Sequence, residues 1–237
     1  MRIILDTVID NDDLPLLNKY YPLMSDSLIA GYGMLNEKDF SGNGNHFSWN
    51  GTFGKQGANL LNDTDHIITT PVMEQNEMSM IICCNLTGSN NDASLVNNFR
   101  AIGSAFQGSR LVKLPNSNNG QFNTATGITS PNTNPIGFGI AGAWTVRVFN
   151  WNNSLVQQLD HSGGSIKFDS TNRQKNISYG YYVNGVPAGV NAGGIIAGIP
   201  GTLGFLAFYK EVMTPDVAKT RMDAVADIMI DRGVVVP

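Results

Sequence analysis

One stretch of this 237-residue chain repeats its apolar residues with the period of a helix, and it lies near the C-terminus. Ala218, Met222, Val225 and Met229 step by four, three and four, which stacks them on one side of a helix. Thr214 offers an N-cap hydroxyl, Pro215 suits the first turn, and Asp216 meets the positive end of the helix dipole. Arg232 and Gly233 close the pattern, so a helix is expected over 215–232. Everything before it is short apolar runs separated by Asn, Gly, Ser and Thr. A chain with one terminal helix and many such runs is expected to be an all-β fold with the stripe of that helix buried.

The runs can be placed. Leu28–Met34 reads as a first strand, and Met78–Leu86 as a central one, because it is apolar almost without a break. Ser94–Val96 and Arg110–Leu114 are shorter strands. In Ala143–Trp151, Trp144, Val146 and Val148 share one face, expected to be the core, and Thr145, Arg147, Phe149 and Trp151 the other. Ile177–Ala188 reads as a hairpin with Asn184-Gly185 as a type I′ turn and with Ile177, Tyr179, Tyr181 and Val183 on one face. Gly193–Tyr209 reads as two strands around Ile199-Pro200-Gly201-Thr202. It is too interrupted for the roughly 20 apolar residues of a membrane span, and no membrane insertion is expected.

Residues 1–24 differ from the rest. Asp10-Asn11-Asp12-Asp13, Pro15 and Pro22 interrupt an aliphatic stretch, and the segment is expected to be an arm lying on the domain or on a partner. Residues 25–237 then form one domain, a length within the range of single all-β sandwiches. The apolar run Met1–Leu5 is too short for a signal peptide and is followed by Asp6. The only cysteines, Cys83 and Cys84, are adjacent, so a strand points them to opposite faces, reduced and unpaired. The expected site of synthesis is the cytoplasm. Net charge is −4 with no basic block, which argues against nucleic acid as a partner.

The densest local pattern is Asp39-Phe40-Ser41-Gly42-Asn43-Gly44-Asn45-His46-Phe47. Gly42 and Gly44 permit positive φ, and Asp39, Ser41, Asn43 and Asn45 carry oxygens that bond nearby backbone. The segment is expected to be a self-bonded loop pinned by its two phenylalanines. Those oxygens suit three roles: Asx turns within the loop, a hard cation, or a sugar. With Asp63 and Asp65 from a second loop, Asp39, Asn43 and Asn45 make a candidate calcium set.

Three spaced motifs resemble the concanavalin A-like lectin/glucanase superfamily, in particular its laminin-G-like domains of bacterial and phage type. They are the strand and loop Leu28–Phe47, the turn Tyr181-Tyr182-Val183-Asn184-Gly185-Val186, and the closing strand and helix start Leu203–Asp216. Asn62–Ile67 is a looser match, with Thr64 where the family usually has Gly. The resemblance spans residues 26–233 and implies a two-sheet antiparallel jelly-roll sandwich with one C-terminal helix. It also implies a lectin-like role, and by analogy a phage or prophage virion protein of the tail or adhesion type. Such a protein would recognise a host surface glycan, contact other virion proteins and assemble as a homo-oligomer, possibly a trimer.

Glycan recognition needs flat aromatics for stacking and polar side chains for hydroxyls. Arg147, Phe149 and Trp151, on the face read as outward, and Tyr182 are the candidates; packing against another protomer is the competing role for that face. A glycoside hydrolase on the same fold is the first alternative. It needs two carboxylates about 5–5.5 Å apart for a retaining mechanism. The chain has four Glu, at 37, 74, 77 and 211, none in the Glu-x-Asp-x-x-Glu pattern, and Glu74 and Glu77 read as solvated residues at a strand start, which leaves a pair of Asp residues brought together by the fold as the open route to hydrolysis. There is no Gly-x-Ser-x-Gly elbow, and His46, His66 and His161 read as loop hydrogen-bonding residues. A structural virion protein with no glycan site is the other alternative.

Overall fold

The structure, a computed structural model, describes residues 19–87, 91–103, 105–126, 133–139, 142–170, 172–190 and 193–237. The strands, in chain order, are β1 (Leu28–Tyr32), β2 (Thr52–Gly54), β3 (Gly57–Leu60), β4 (Ile68–Thr69), β5 (Met78–Leu86), β6 (Ala93–Asn97), β7 (Arg100–Ile102) and β8 (Ala105–Gln107). They continue as β9 (Ser109–Lys113), β10 (Asn119–Ala125), β11 (Thr133–Gly139), β12 (Trp144–Trp151), β13 (Leu155–Asp160), β14 (Ser165–Asp169), β15 (Tyr182–Val183) and β16 (Gly201–Tyr209). One helix, α1 (Pro215–Ile230), follows.

Two antiparallel sheets form the sandwich. The larger runs β14-β13-β12-β5-β16-β3-β2, with β1 also paired to β16. The smaller runs β11-β10-β9-β6-β15-β4, and β7 and β8 make a separate ribbon. The expected all-β sandwich with one C-terminal helix is therefore the observed fold.

The unbroken apolar run of β5 has a simple cause, because it is covered on both faces. Met78, Met80, Ile82, Cys84 and Leu86 point into the core between the sheets. Ile81 and Cys83 point into a second core beneath α1. The two cysteines do lie on opposite faces, both as free thiols.

The same layering corrects the reading of β12. Val146 and Val148, paired with Cys83 and Ile81, face the helix. Phe149 and Trp151, paired with Met80 and Met78, face the opposite sheet and are fully buried. Both faces of this strand are interior, and alternation alone cannot tell the core under a helix from the core between two sheets.

The helix begins as its sequence predicts and ends at Ile230, two residues short of the expected 232. The Val217 amide donates to Thr214 Oγ1 at 3.4 Å. At the other end Gly233, at φ 75°, donates to the Ile230 carbonyl while Val234 donates to that of Met229. These paired bonds are a Schellman closure. The helix lies so close to β16 that a Cβ on Gly204 would sit 2.7 Å from Met229 Cε. The β5–β16 register shifts between Leu203 and Phe205, around that glycine.

Two further expectations change. Asn184 and Gly185 take positive φ, but no hairpin results. Tyr182 and Val183 pair with β4 and β6, and the Val186 amide donates to the Ile196 carbonyl. The Asn184 side chain is buried as a staple, donating to the Leu61 and His66 carbonyls and accepting from the Ile199 amide. Upstream of Pro200, the described residues form turns and irregular backbone, so β16 stands as one strand and not two. Of residues 1–24, those before 19 lie outside the described residues. Tyr21–Leu23 forms a short 3-10 turn, and the Leu23 carbonyl accepts from Tyr209 Oη at 2.9 Å.

Candidate functional site

The pairing of β1 with β16 slips between Leu28 and Ala30, a bulge that takes the Ile29 carbonyl out of the ladder. The Asp39–Phe47 loop satisfies that carbonyl. Asn45 Nδ2 donates to it at 2.7 Å and Asn43 Nδ2 at 3.1 Å, and Asn43 Nδ2 also reaches the Leu28 carbonyl at 2.8 Å. Asp39, buried at the hub, accepts from the Gly31 and Ser41 amides through Oδ1, at 2.9 and 2.8 Å. Its Oδ2 accepts from Ser41 Oγ at 2.7 Å and the Asn45 amide at 3.0 Å. Gly42 and Gly44 take the positive φ that lets the chain wrap one carboxylate. Phe47 packs edge-on against Tyr32 in the inter-sheet core, while Phe40 stacks on Tyr20 at 4.2 Å between centroids.

The second loop closes on itself in the same way. Asp63 Oδ1 accepts from the Asp65 and His66 amides, and Oδ2 lies 2.7 Å from His66 Nδ1. Burial pushes the Asp63 carboxyl up, but the backbone and side-chain bonds from His66 and Asp65 outweigh it and hold it below its ordinary value. The carboxylates of the two loops do not gather into one cluster. Among the described residues no three of His, Cys, Asp and Glu converge on one point, so Asp39 does not meet Asp63 and Asp65. The candidate calcium set Asp39, Asn43, Asn45, Asp63 and Asp65 is thus divided between two separate turns.

The sequence-predicted glycan residues do not form an exposed surface: three share the inner face of β12 and Tyr182 lies on the other sheet. Phe149 and Trp151 pack around Phe122, at centroid distances of 4.9 and 5.0 Å, and present no face to solvent. Arg147 turns inward, where Nη2 donates to the Gly139 carbonyl of the other sheet at 3.0 Å and Nη1 lies 3.8 Å from Asp160 Oδ2. Tyr182 is half-buried beside Tyr179, with centroids 5.4 Å apart. Of the four, Tyr182 alone combines an aromatic ring with a surface position.

A cleft of about 720 Å³ opens where the Asp39–Phe47 loop meets the β1–β16 edge. Ser41, Asn43 and Asn45 of the loop line it together with Ser25, Asp26, Gln75 and Lys210 and the apolar Met24, Leu28 and Ile29. The Asn43 and Asn45 amide nitrogens are spent on backbone carbonyls, so these side chains offer a ligand their Oδ1 acceptors. Lys210 supplies donors and a positive charge, and Asp26 is the only carboxylate in the lining among the described residues.

The cleft walls are held from behind. Ser27 Oγ donates to Glu211 Oε1 at 2.8 Å, Arg221 forms an ion pair with the same carboxylate, and Arg221 Nη2 donates to Ser25 Oγ at 3.1 Å. The Arg221 guanidinium lies over the Tyr209 ring at 4.1 Å. Gln75 is fixed through its carbonyl, which accepts from Arg173 Nη2 at 2.7 Å. Sequence reading missed Asp26, Gln75 and Lys210. They come together only through β1–β16 pairing and the approach to β5, and nothing local marks them.

No family model and no curated protein matches the chain. Solved structures do. The binding domain of botulinum neurotoxin DC in complex with SialylT superposes with a TM-score of 0.63 at 10% identity, over 84% of this chain and 52% of that one. The serotype D ligand-binding domain in complex with N-acetylneuraminic acid gives 0.59 at 12% identity, over 85% and 52%. The DC domain in complex with rat synaptotagmin II gives 0.61 at 9% identity, over 84% and 52%. The chain spans about half the length of these domains, and at such identity the likeness is one of fold.

Proposed function

We propose that this chain is a non-catalytic carbohydrate- or receptor-binding sandwich whose ligand lies in the cleft between the Asp39–Phe47 loop and Lys210. The observation that carries this reading is the composition of the cleft. Its lining combines hydroxyl, amide, carboxylate and ammonium groups with the apolar Met24, Leu28 and Ile29, a mixture that suits a sugar ring with hydroxyls on its rim and C–H groups on its faces. The fold likeness supports it, since the similar toxin domains were solved in complex with SialylT, N-acetylneuraminic acid or rat synaptotagmin II. Lys210 would favour a glycan carrying an acidic group. The Tyr179–Tyr182 pair is a second surface for stacking, on the other sheet.

Hydrolysis is the weaker reading. A glycosidase needs two carboxylates across one bond, and among the described residues Asp26 is the one carboxylate in this cleft. The wider setting follows from the motif resemblance to concanavalin A-like domains of phage type. The chain is a virion component of the tail or adhesion class, made in the host cytoplasm, homo-oligomeric, with residues 1–24 as an assembly arm. A glycan array probed with the intact protein tests the binding reading. Retention of a defined set of glycans without their cleavage supports it. Cleavage would favour the hydrolase, and silence on every glycan would favour a purely structural virion protein.

A further inference from the structure

The larger sheet ends on β14, and all five residues of that strand are exposed. No described strand pairs with its outer edge. The Asp160 amide donates to the Gly164 carbonyl at 3.0 Å and the Ser170 amide to that of Ser154 at 3.1 Å. Hydrogen-bonded pairs in an antiparallel ladder recur at every second residue. Ile166 and Phe168 therefore turn their backbone groups toward β13, and Ser165, Lys167 and Asp169 turn theirs to the open edge. Side chains alternate as well. Phe168 lies opposite buried Val156 on the inter-sheet face, yet it is 47% exposed, and Ile166 beside it is 37% exposed. Lys167 and Asp169 share the other face.

We infer that β14 pairs antiparallel with β14 of a second copy of this chain, with Phe168 on the two-fold axis. An open edge with half-exposed apolar side chains is a template for another strand. Only residues with outward backbone groups can form its hydrogen-bonded pairs, which limits the registers. Centring on Lys167 sets two lysines face to face. Centring on Phe168 sets Lys167 opposite Asp169 of the second copy and Asp169 opposite its Lys167. It also makes the two Phe168 residues a non-hydrogen-bonded pair, where side chains approach most closely. Charge complementarity selects this register. The contact is isologous and closes on two copies. β13, β12 and β5 separate β14 from β16, so the cleft stays outside the interface and each pair would carry two clefts. This inference does not depend on what the cleft binds.

Sedimentation velocity of the intact chain across a concentration series tests it. A monomer–dimer equilibrium is expected. Lys167→Asp and Asp169→Lys should each weaken the dimer about tenfold or more, because both cross-strand pairs become like-charged. The double exchange K167D/D169K should restore it. Lys167→Pro removes an outward amide without taking a bond from β13, and should abolish pairing while circular dichroism shows the fold retained. A chain that is monomeric at every concentration overturns the inference. So does an oligomer that is indifferent to the single changes or not rescued by the double one.

Discussion

Arg173 Nη2 lies 3.0 Å from Glu74 Oε1, and neither side chain has any exposed surface. Glu74 also accepts from Trp151 Nε1 at 3.1 Å and from the Asn176 amide at 2.8 Å. Arg173 donates onward to the carbonyls of Gln75 and Asn76, both at 2.7 Å. One buried ion pair thus ties the indole of the inter-sheet core to the backbone that forms one wall of the cleft. Glu74 is no solvated residue at a strand start, as its neighbours in sequence imply, but the centre of this node.

Removing one partner strands the other. Glu74→Ala should cost about 3–5 kcal/mol, because it leaves a buried guanidinium without its counter-charge. Urea unfolding of the variant measures this. A loss below about 1 kcal/mol would mean that water reaches Arg173 and the node is not closed.

Trp151 separates the sequence reading from the structural one. A surface stacking residue could be truncated with little effect on folding. Trp151 packs against Phe122 and Tyr181, so Trp151→Ala should destabilise the chain by about 3–5 kcal/mol. A melting temperature equal to that of the parent would return Trp151 to the surface.

The Asp39 hub can be tested by Asp39→Ala. It leaves the Gly31, Ser41 and Asn45 amides without their acceptor, and a loss of about 2–3 kcal/mol is expected. Adding calcium should not shift the melting temperature of the parent chain, since the carboxylate oxygens are engaged by the loop itself. A calcium-dependent rise abolished by Asp39→Ala would reinstate the cation.

Stability should fall at both ends of the pH scale, for separable reasons. Burial raises the Asp160 carboxyl, but bonds from Ser162 and Gly164 and the Arg147 charge outweigh it, and like Asp63 it lies below 3.8 when folded. Groups depressed in the folded state stabilise it fully above their unfolded value and lose that contribution as pH falls through the folded one. The acid limb should therefore open below about pH 4 and flatten in an Asp63→Asn/Asp160→Asn variant. Burial pushes Tyr179 from 10.0 up to about 12. Its contribution is complete below pH 10 and is lost as pH rises toward 12, and Tyr179→Phe should soften that limb. Urea titrations across pH check both limbs, and variants that leave them unchanged would contradict the assignment.

What was legible in the sequence was what local chemistry decides. The caps at Thr214 and Gly233, the turn-forming glycines at 42 and 44 and the doubly covered run Met78–Leu86 each carry their reason within a few residues. Positive φ at Asn184-Gly185 was legible too, but not its consequence, because the strand partners of Tyr182 come from residues far along the chain. The faces of β12 were misread because a period of two has no sign when a sheet lies on one side and a helix on the other. The cleft was invisible, since the pairing of β1 with β16 assembles it from segments about 180 residues apart.

The most direct test of the account is glycan binding by a chain altered only in the cleft. Asp26, Gln75 and Lys210 are exposed, and changing all three to Ala should leave the melting temperature within a degree or so of the parent. Isothermal titration with the strongest array glycan should then give saturable binding for the parent, an intact glycan afterwards, and at least about a tenfold loss for the triple variant. Equal binding by both proteins would contradict the placement of the site in this cleft.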